Sequence, residues 1–79
     1  MPRYFFDVHD GHIERDQEGT VCDDTRAAAH MAKRLLPEIV LNEVPKDSER
    51  QSFTVLVTDE QGHPVYSAVL CFVGTWLSR

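Results

Sequence analysis

The stretch from Pro64 to Val73 places apolar side chains on both of its faces, with Tyr66, Ala68, Leu70 and Phe72 on one and Val65, Val69, Cys71 and Val73 on the other. Side chains along a strand alternate between the two faces of a sheet, so such a segment requires cover on both sides. Just before it, Phe53, Val55 and Val57 alternate with Thr54, Leu56 and Thr58, the period of a half-buried strand. Asp59-Glu60-Gln61-Gly62 supplies a turn with Gly where a left-handed residue is needed, so the two segments predict an antiparallel hairpin.

Only one helix is available to cover that hairpin. From Thr25 the apolar positions Ala28, Met31, Ala32, Leu35, Leu36 and Ile39 recur at three and four residues. Asp23 and Asp24 stand before them as N-cap candidates whose charge suits the positive end of the helix dipole. Pro37 cannot donate to the carbonyl of Lys33, but the stripe runs on through Ile39 and Val40, so the helix is expected to continue to about Asn42. Pro45 to Glu49 reads as the following loop. At the N-terminus, the aromatic run Arg3 to His9 predicts a strand with Tyr4, Phe6 and Val8 on one face and Phe5, Asp7 and His9 on the other. Asp10-Gly11 turns the chain, Ile13 to Asp16 returns as a short strand, and Gln17-Glu18-Gly19 turns again before Thr20-Val21-Cys22 leads into the helix.

These segments make an α+β fold: a small three- or four-stranded, mainly antiparallel sheet in β-β-α-β-β order with one long helix on one face. The other face would expose Phe5, Leu56, Val69, Cys71 and Val73 unless the tail around Trp76 folds back or a second subunit packs there. A homodimer is therefore expected, with Phe5, Leu56, Val69, Cys71, Val73 and Trp76 as interface candidates.

Composition narrows the functional classes. A chain of 79 residues is one domain, and at this size only about 60–65% of the unfolded surface is buried, which leaves a thin core. The longest apolar runs are strand-length and the first residues lack a signal-peptide pattern, so a cytoplasmic protein with no membrane partner is expected. A net charge of −5 argues against nucleic acid, which demands a basic stripe. Cys22 and Cys71 lack the companions of a zinc site. Cys71, inside the run Val69 to Val73, reads as a buried structural thiol, whereas Cys22 sits among acids that would raise its pKa.

Seven of the thirteen acidic residues fall between Asp7 and Asp24. Metal candidates among them are Asp7, Asp10 and Asp16, whose hard oxygen ligands could suit a divalent cation, together with His9, in a segment that fails the EF-hand spacing; the competing reading is a solvated acidic hairpin. Helix capping accounts for Asp23 and Asp24, and turn formation for Asp10, which leaves Asp7, Glu14, Asp16 and Glu18 as partner-binding candidates. Arg26, His30, Lys33 and Arg34 share the outer side of the helix, either as a solvated face or as a dock for an acidic partner. No Gly-x-Ser-x-Gly elbow and no phosphate-binding glycine loop occurs, so neither catalytic residues nor a cofactor are expected.

The opening Met-Pro-Arg-Tyr-Phe-Phe-Asp-Val-His-Asp-Gly, the turn Asp16-Gln17-Glu18-Gly19, the helix start Asp24-Thr25-Arg26-Ala27-Ala28 and the segment Val57 to Val65 resemble a family of short bacterial proteins of unknown function. The resemblance implies a fold unit over nearly the whole chain and carries over no catalytic residue; Val21-Cys22 and the Trp76 tail depart from it. Gly19 and Asp24-Thr25 also resemble the HicB-type antitoxin domains, which would imply a toxin as partner. The leading expectation is a small non-enzymatic, self-associating interaction module. An antitoxin-like regulator and a divalent-cation-binding domain are the alternatives.

Overall fold

The computed structural model describes residues 1–42 and 49–78. Its elements are β1 (Arg3–His9), β2 (Ile13–Glu14), β3 (Thr20–Val21), α1 (Thr25–Asn42), β4 (Arg50–Thr58) and β5 (Pro64–Val73). The sheet is antiparallel in the order β2-β1-β4-β5, and β3 pairs with the start of β1. The α+β expectation holds, with one strand more before the helix. The return strand is shorter than expected: β2 ends at Glu14, because Asp16 is engaged elsewhere, and the chain pairs again only at Thr20–Val21. The loop expected at Pro45 to Glu49 lies outside the described residues except for Glu49.

The helix begins where its cap places it. Asp24 Oδ1 accepts the N–H of Ala27 at 2.8 Å, satisfying a donor that the first turn leaves without an intrahelical partner. The Tyr4 hydroxyl is hydrogen-bonded to Thr25 Oγ1 at 3.0 Å, which ties the helix start to β1. The helix runs unbroken past Pro37 to Asn42.

Ala28, Ala32 and Leu36 form its buried line against Tyr4, Phe6, Phe53, Val55 and Val57. Small alanines let the helix approach closely enough that Phe53, Val55 and Val57 are completely buried. Met31 does not belong to that line: it is 41% exposed, because the axis of contact passes through positions 28, 32 and 36 and turns 31 toward the flank. The strand register places Phe6, Val57 and Tyr66 in one row beneath the helix and Val8, Val55 and Ala68 in the next. At the hairpin end Thr58 pairs with Pro64 while Val57 pairs with Tyr66, so Val65 is the extra residue of a bulge and packs against the core instead of standing on the far face.

The expectation of a buried Cys71 is overturned. Cys22 is buried and Cys71 is exposed. Cys71 pairs with Ser52 on the part of β4 that β1 does not reach, so its apolar sequence neighbours bring it no cover. Among the described residues no helix is long and apolar enough to cross a membrane.

Candidate functional site

Two Asp-x-x-Gly segments shape the ends of the sheet by one device. In Asp59-Glu60-Gln61-Gly62, Asp59 Oδ1 accepts the N–H groups of Gln61 and His63, each at 2.9 Å, and Gly62 takes φ +82°. In Asp16-Gln17-Glu18-Gly19, Asp16 Oδ1 accepts the N–H groups of Glu18 at 3.1 Å and Gly19 at 3.0 Å, with Gly19 at φ +73°. Aspartate carboxylates favour such turns because they accept from backbone N–H groups a few residues ahead, two and four for Asp59 and two and three for Asp16.

Asp16 does more than close a turn. Its Oδ2 accepts the N–H of Phe6 at 3.1 Å, on the outer edge of β1 between the portions held by β3 and β2. Its own N–H donates to Asp7 Oδ1 at 2.9 Å, and Arg3 Nη1 donates to the Glu18 carbonyl at 2.7 Å. Burial pushes the Asp16 carboxyl upward, but the N–H donors of Gly19, Phe6 and Glu18, with Arg3 nearby, outweigh it and hold its pKa below the usual value. Asp7 and Asp16 thus carry backbone hydrogen bonds of the fold, whereas Glu14 and Glu18 are exposed.

Of the metal candidates, Asp7 and His9 lie half-buried on β1, and Asp10 follows them. The Asp10 side chain is only 7% exposed, and its Oδ1 lies 3.6 Å from His12 Nδ1 without a hydrogen-bond donor among the described residues. Among the described residues no group of three His, Cys, Asp or Glu side chains is placed to hold a metal ion. Asp24 is the helix cap; Asp23 instead lines a groove of about 470 Å³ with Val21, Cys22, Met31, His30 and Arg34. The Cys22 thiol at its floor is pushed up by burial and by the charges of Asp23 and Asp24, as the neighbouring acids led us to expect, and a raised pKa disfavours the nucleophilic thiolate. Arg26, His30, Lys33 and Arg34 are all exposed on the helix.

Among the described residues, six of the eleven exposed large apolar side chains belong to β5 and the tail. Val69 is 56% and Val73 65% exposed, Leu70 and Phe72 are more than a third exposed, and Trp76 is 80% exposed, so the tail does not fold back. Of the other interface candidates, Phe5 and Leu56 are only half-buried: the Phe5 ring lies under Gly19, where an added Cβ would stand 2.9 Å from it. Leu70 and Phe72 are exposed positions that periodicity did not single out, because their exposure follows from strand order; Leu77 is exposed in the tail beyond β5.

The backbone polarity of β5 follows from the geometry. Gly74 N–H donates to the Glu49 carbonyl at 2.7 Å, so Phe72, Leu70, Ala68 and Tyr66, spaced by two, also turn their N–H groups toward β4. Ser67, Val69, Cys71 and Val73 then turn theirs outward. Carried across β4 to β1, the same alternation points the Phe6 N–H to the outer edge, where Asp16 receives it.

The result is an α+β domain with one sheet edge sealed by β2, β3 and the Asp16 carboxylate and the other, along β5, joined by no further strand among the described residues. The chain belongs to the DUF6894 family: a family model described as a domain of unknown function matches residues 3–71, which leaves the Trp76 tail beyond the matched part. No curated protein and no solved structure matches the chain.

Proposed function

We propose that this protein is a small non-enzymatic interaction module that associates with itself through the β5 side of its sheet. The carrying observation is the position of β5: ten residues, at the end of the strand order, with Val69 and Val73 more than half exposed. A long, flat, apolar edge strand is a template for pairing that proteins ordinarily blunt with charge, bulges or cover. Here the bulge lies at the turn end, at Val65, and among the described residues no strand pairs with the outer side of the remaining length.

The hairpin also extends beyond β1. β1 pairs with β4 only over Thr54 to Thr58, so Arg50 to Phe53 and Leu70 to Val73 continue as a two-stranded ribbon. The helix covers Phe53 and Gln51 Nε2 donates to the Asp10 carbonyl at 2.9 Å, but among the described residues no third strand joins this part of the hairpin. The molecule measures 54 Å in its longest dimension, with a radius of gyration of 14.5 Å, against roughly 12 Å for a compact domain of this length. A partner beside the ribbon would give it the neighbour it lacks.

Light-scattering mass across micromolar concentrations tests the reading. A dimer mass that falls toward the monomer on dilution is expected. A monomer mass throughout would overturn it.

A further inference from the structure

We infer that two copies join edge to edge, β5 against β5 in antiparallel orientation about a two-fold axis, so that their sheets become one; this rests on the self-association proposed above. An open sheet face and an open strand edge lie side by side at β5, and three observations favour the edge.

The first is the backbone. Ser67, Val69, Cys71 and Val73 direct their N–H and C=O groups away from β4, as the Gly74–Glu49 hydrogen bond and the Phe6–Asp16 hydrogen bond independently require. A two-fold axis beside Leu70 would set Ser67 opposite Val73 and Val69 opposite Cys71 of the second copy, using all four outward residues. Stacking the open faces would leave these groups unpaired.

The second is charge. Pro64 to Gly74 contains no ionisable carboxylate, ammonium or guanidinium, so the edge meets its own copy without opposing like charges. The acidic segment that includes Glu14, Asp16 and Glu18 lies at the far edge, beyond β1. With strands about 4.8 Å apart, edge pairing would hold the β2 strands of the two copies roughly 34 Å apart. That is several times the Debye length of ~8 Å at physiological salt, so the excess negative charge of each copy is screened from the other. Face stacking would instead bring Asp7 of β1 toward its own copy, since the register places Asp7 in the open-face row with Leu56 and Ser67.

The third is the ribbon. Beyond β1 the ribbon is held only on its inner side among the described residues, by the helix over Phe53 and by Gln51 Nε2 donating to the Asp10 carbonyl at 2.9 Å, and pairing along Ser67 to Val73 would join two such ribbons into one four-stranded sheet.

The test compares Val69→Pro with Leu56→Lys by light scattering and circular dichroism. Proline at position 69 removes an outward N–H and none of the internal ladder. Leu56 lies on the central strand, within the open face and away from the edge. Edge pairing predicts that Val69→Pro halves the mass with an unchanged spectrum, while Leu56→Lys stays dimeric. A monomeric Leu56→Lys beside a dimeric Val69→Pro would overturn edge pairing and leave self-association standing, whereas a monomeric wild type would overturn both. Should Val69→Pro fail to fold, alkylation of Cys71 in the wild-type dimer decides. Its side chain stays open in an edge-paired sheet, so its rate should lie within roughly twofold of that at monomeric dilution, whereas face stacking would slow it about tenfold or more.

Discussion

Gly19 and Asp16 show how much of this fold rests on single residues. A Cβ at Gly19 would stand 2.8 Å from Arg3 Cγ and 2.9 Å from both the Tyr4 carbonyl oxygen and the Phe5 ring, at a φ of +73° that L side chains rarely adopt. Gly19→Ala should therefore lower stability by about 2 kcal/mol or more, read as the urea midpoint. Asp16 makes a prediction in pH. Its pKa is lowered on folding, so its stabilisation is fully present above the ordinary carboxylate pKa and disappears as pH falls through the lowered folded value. Asp16→Asn should cost about 1–2 kcal/mol at neutral pH, and the gap from wild type should narrow below about pH 4 in urea melts. A gap that stays constant down to pH 2 would remove the charge from the explanation. The sequence left Asp16 an unexplained acid at the end of the return strand, with the turn read over Gln17 to Gly19 and its start at Asp16 given only by the family resemblance. Its bond to the Phe6 N–H was not legible, because that depends on which edge of β1 the chain returns to.

At the scale of elements, the helix and the C-terminal hairpin were legible because each carries its own period. Thr25–Asn42 and the alternation of Phe53, Val55 and Val57 are where the pattern put them. Met31 and Cys71 were misplaced for a common reason: periodicity gives a face, whereas burial also requires that a neighbour reach that part of it. The helix line passes beside Met31, and β1 stops short of the strand segment opposite Cys71. Pro37 gives the helix its own test. It lies exposed within an uninterrupted helix and leaves the Lys33 carbonyl without its usual donor. Pro37→Ala should raise stability by about 1–3 kcal/mol, seen as a higher thermal midpoint. An unchanged or lower midpoint would show that the proline ring makes compensating contacts.

For the molecule as a whole, the number of copies that can join depends on the edge that does not pair. β2 and β3 are two residues each, and between them the Asp16 carboxylate takes the β1 donor that a further strand would otherwise claim. A sheet with two bare edges could keep adding neighbours, as fibres do. Here one carboxylate, aided by two very short strands, stops growth on that side, so the pairing proposed along β5 would end at two copies.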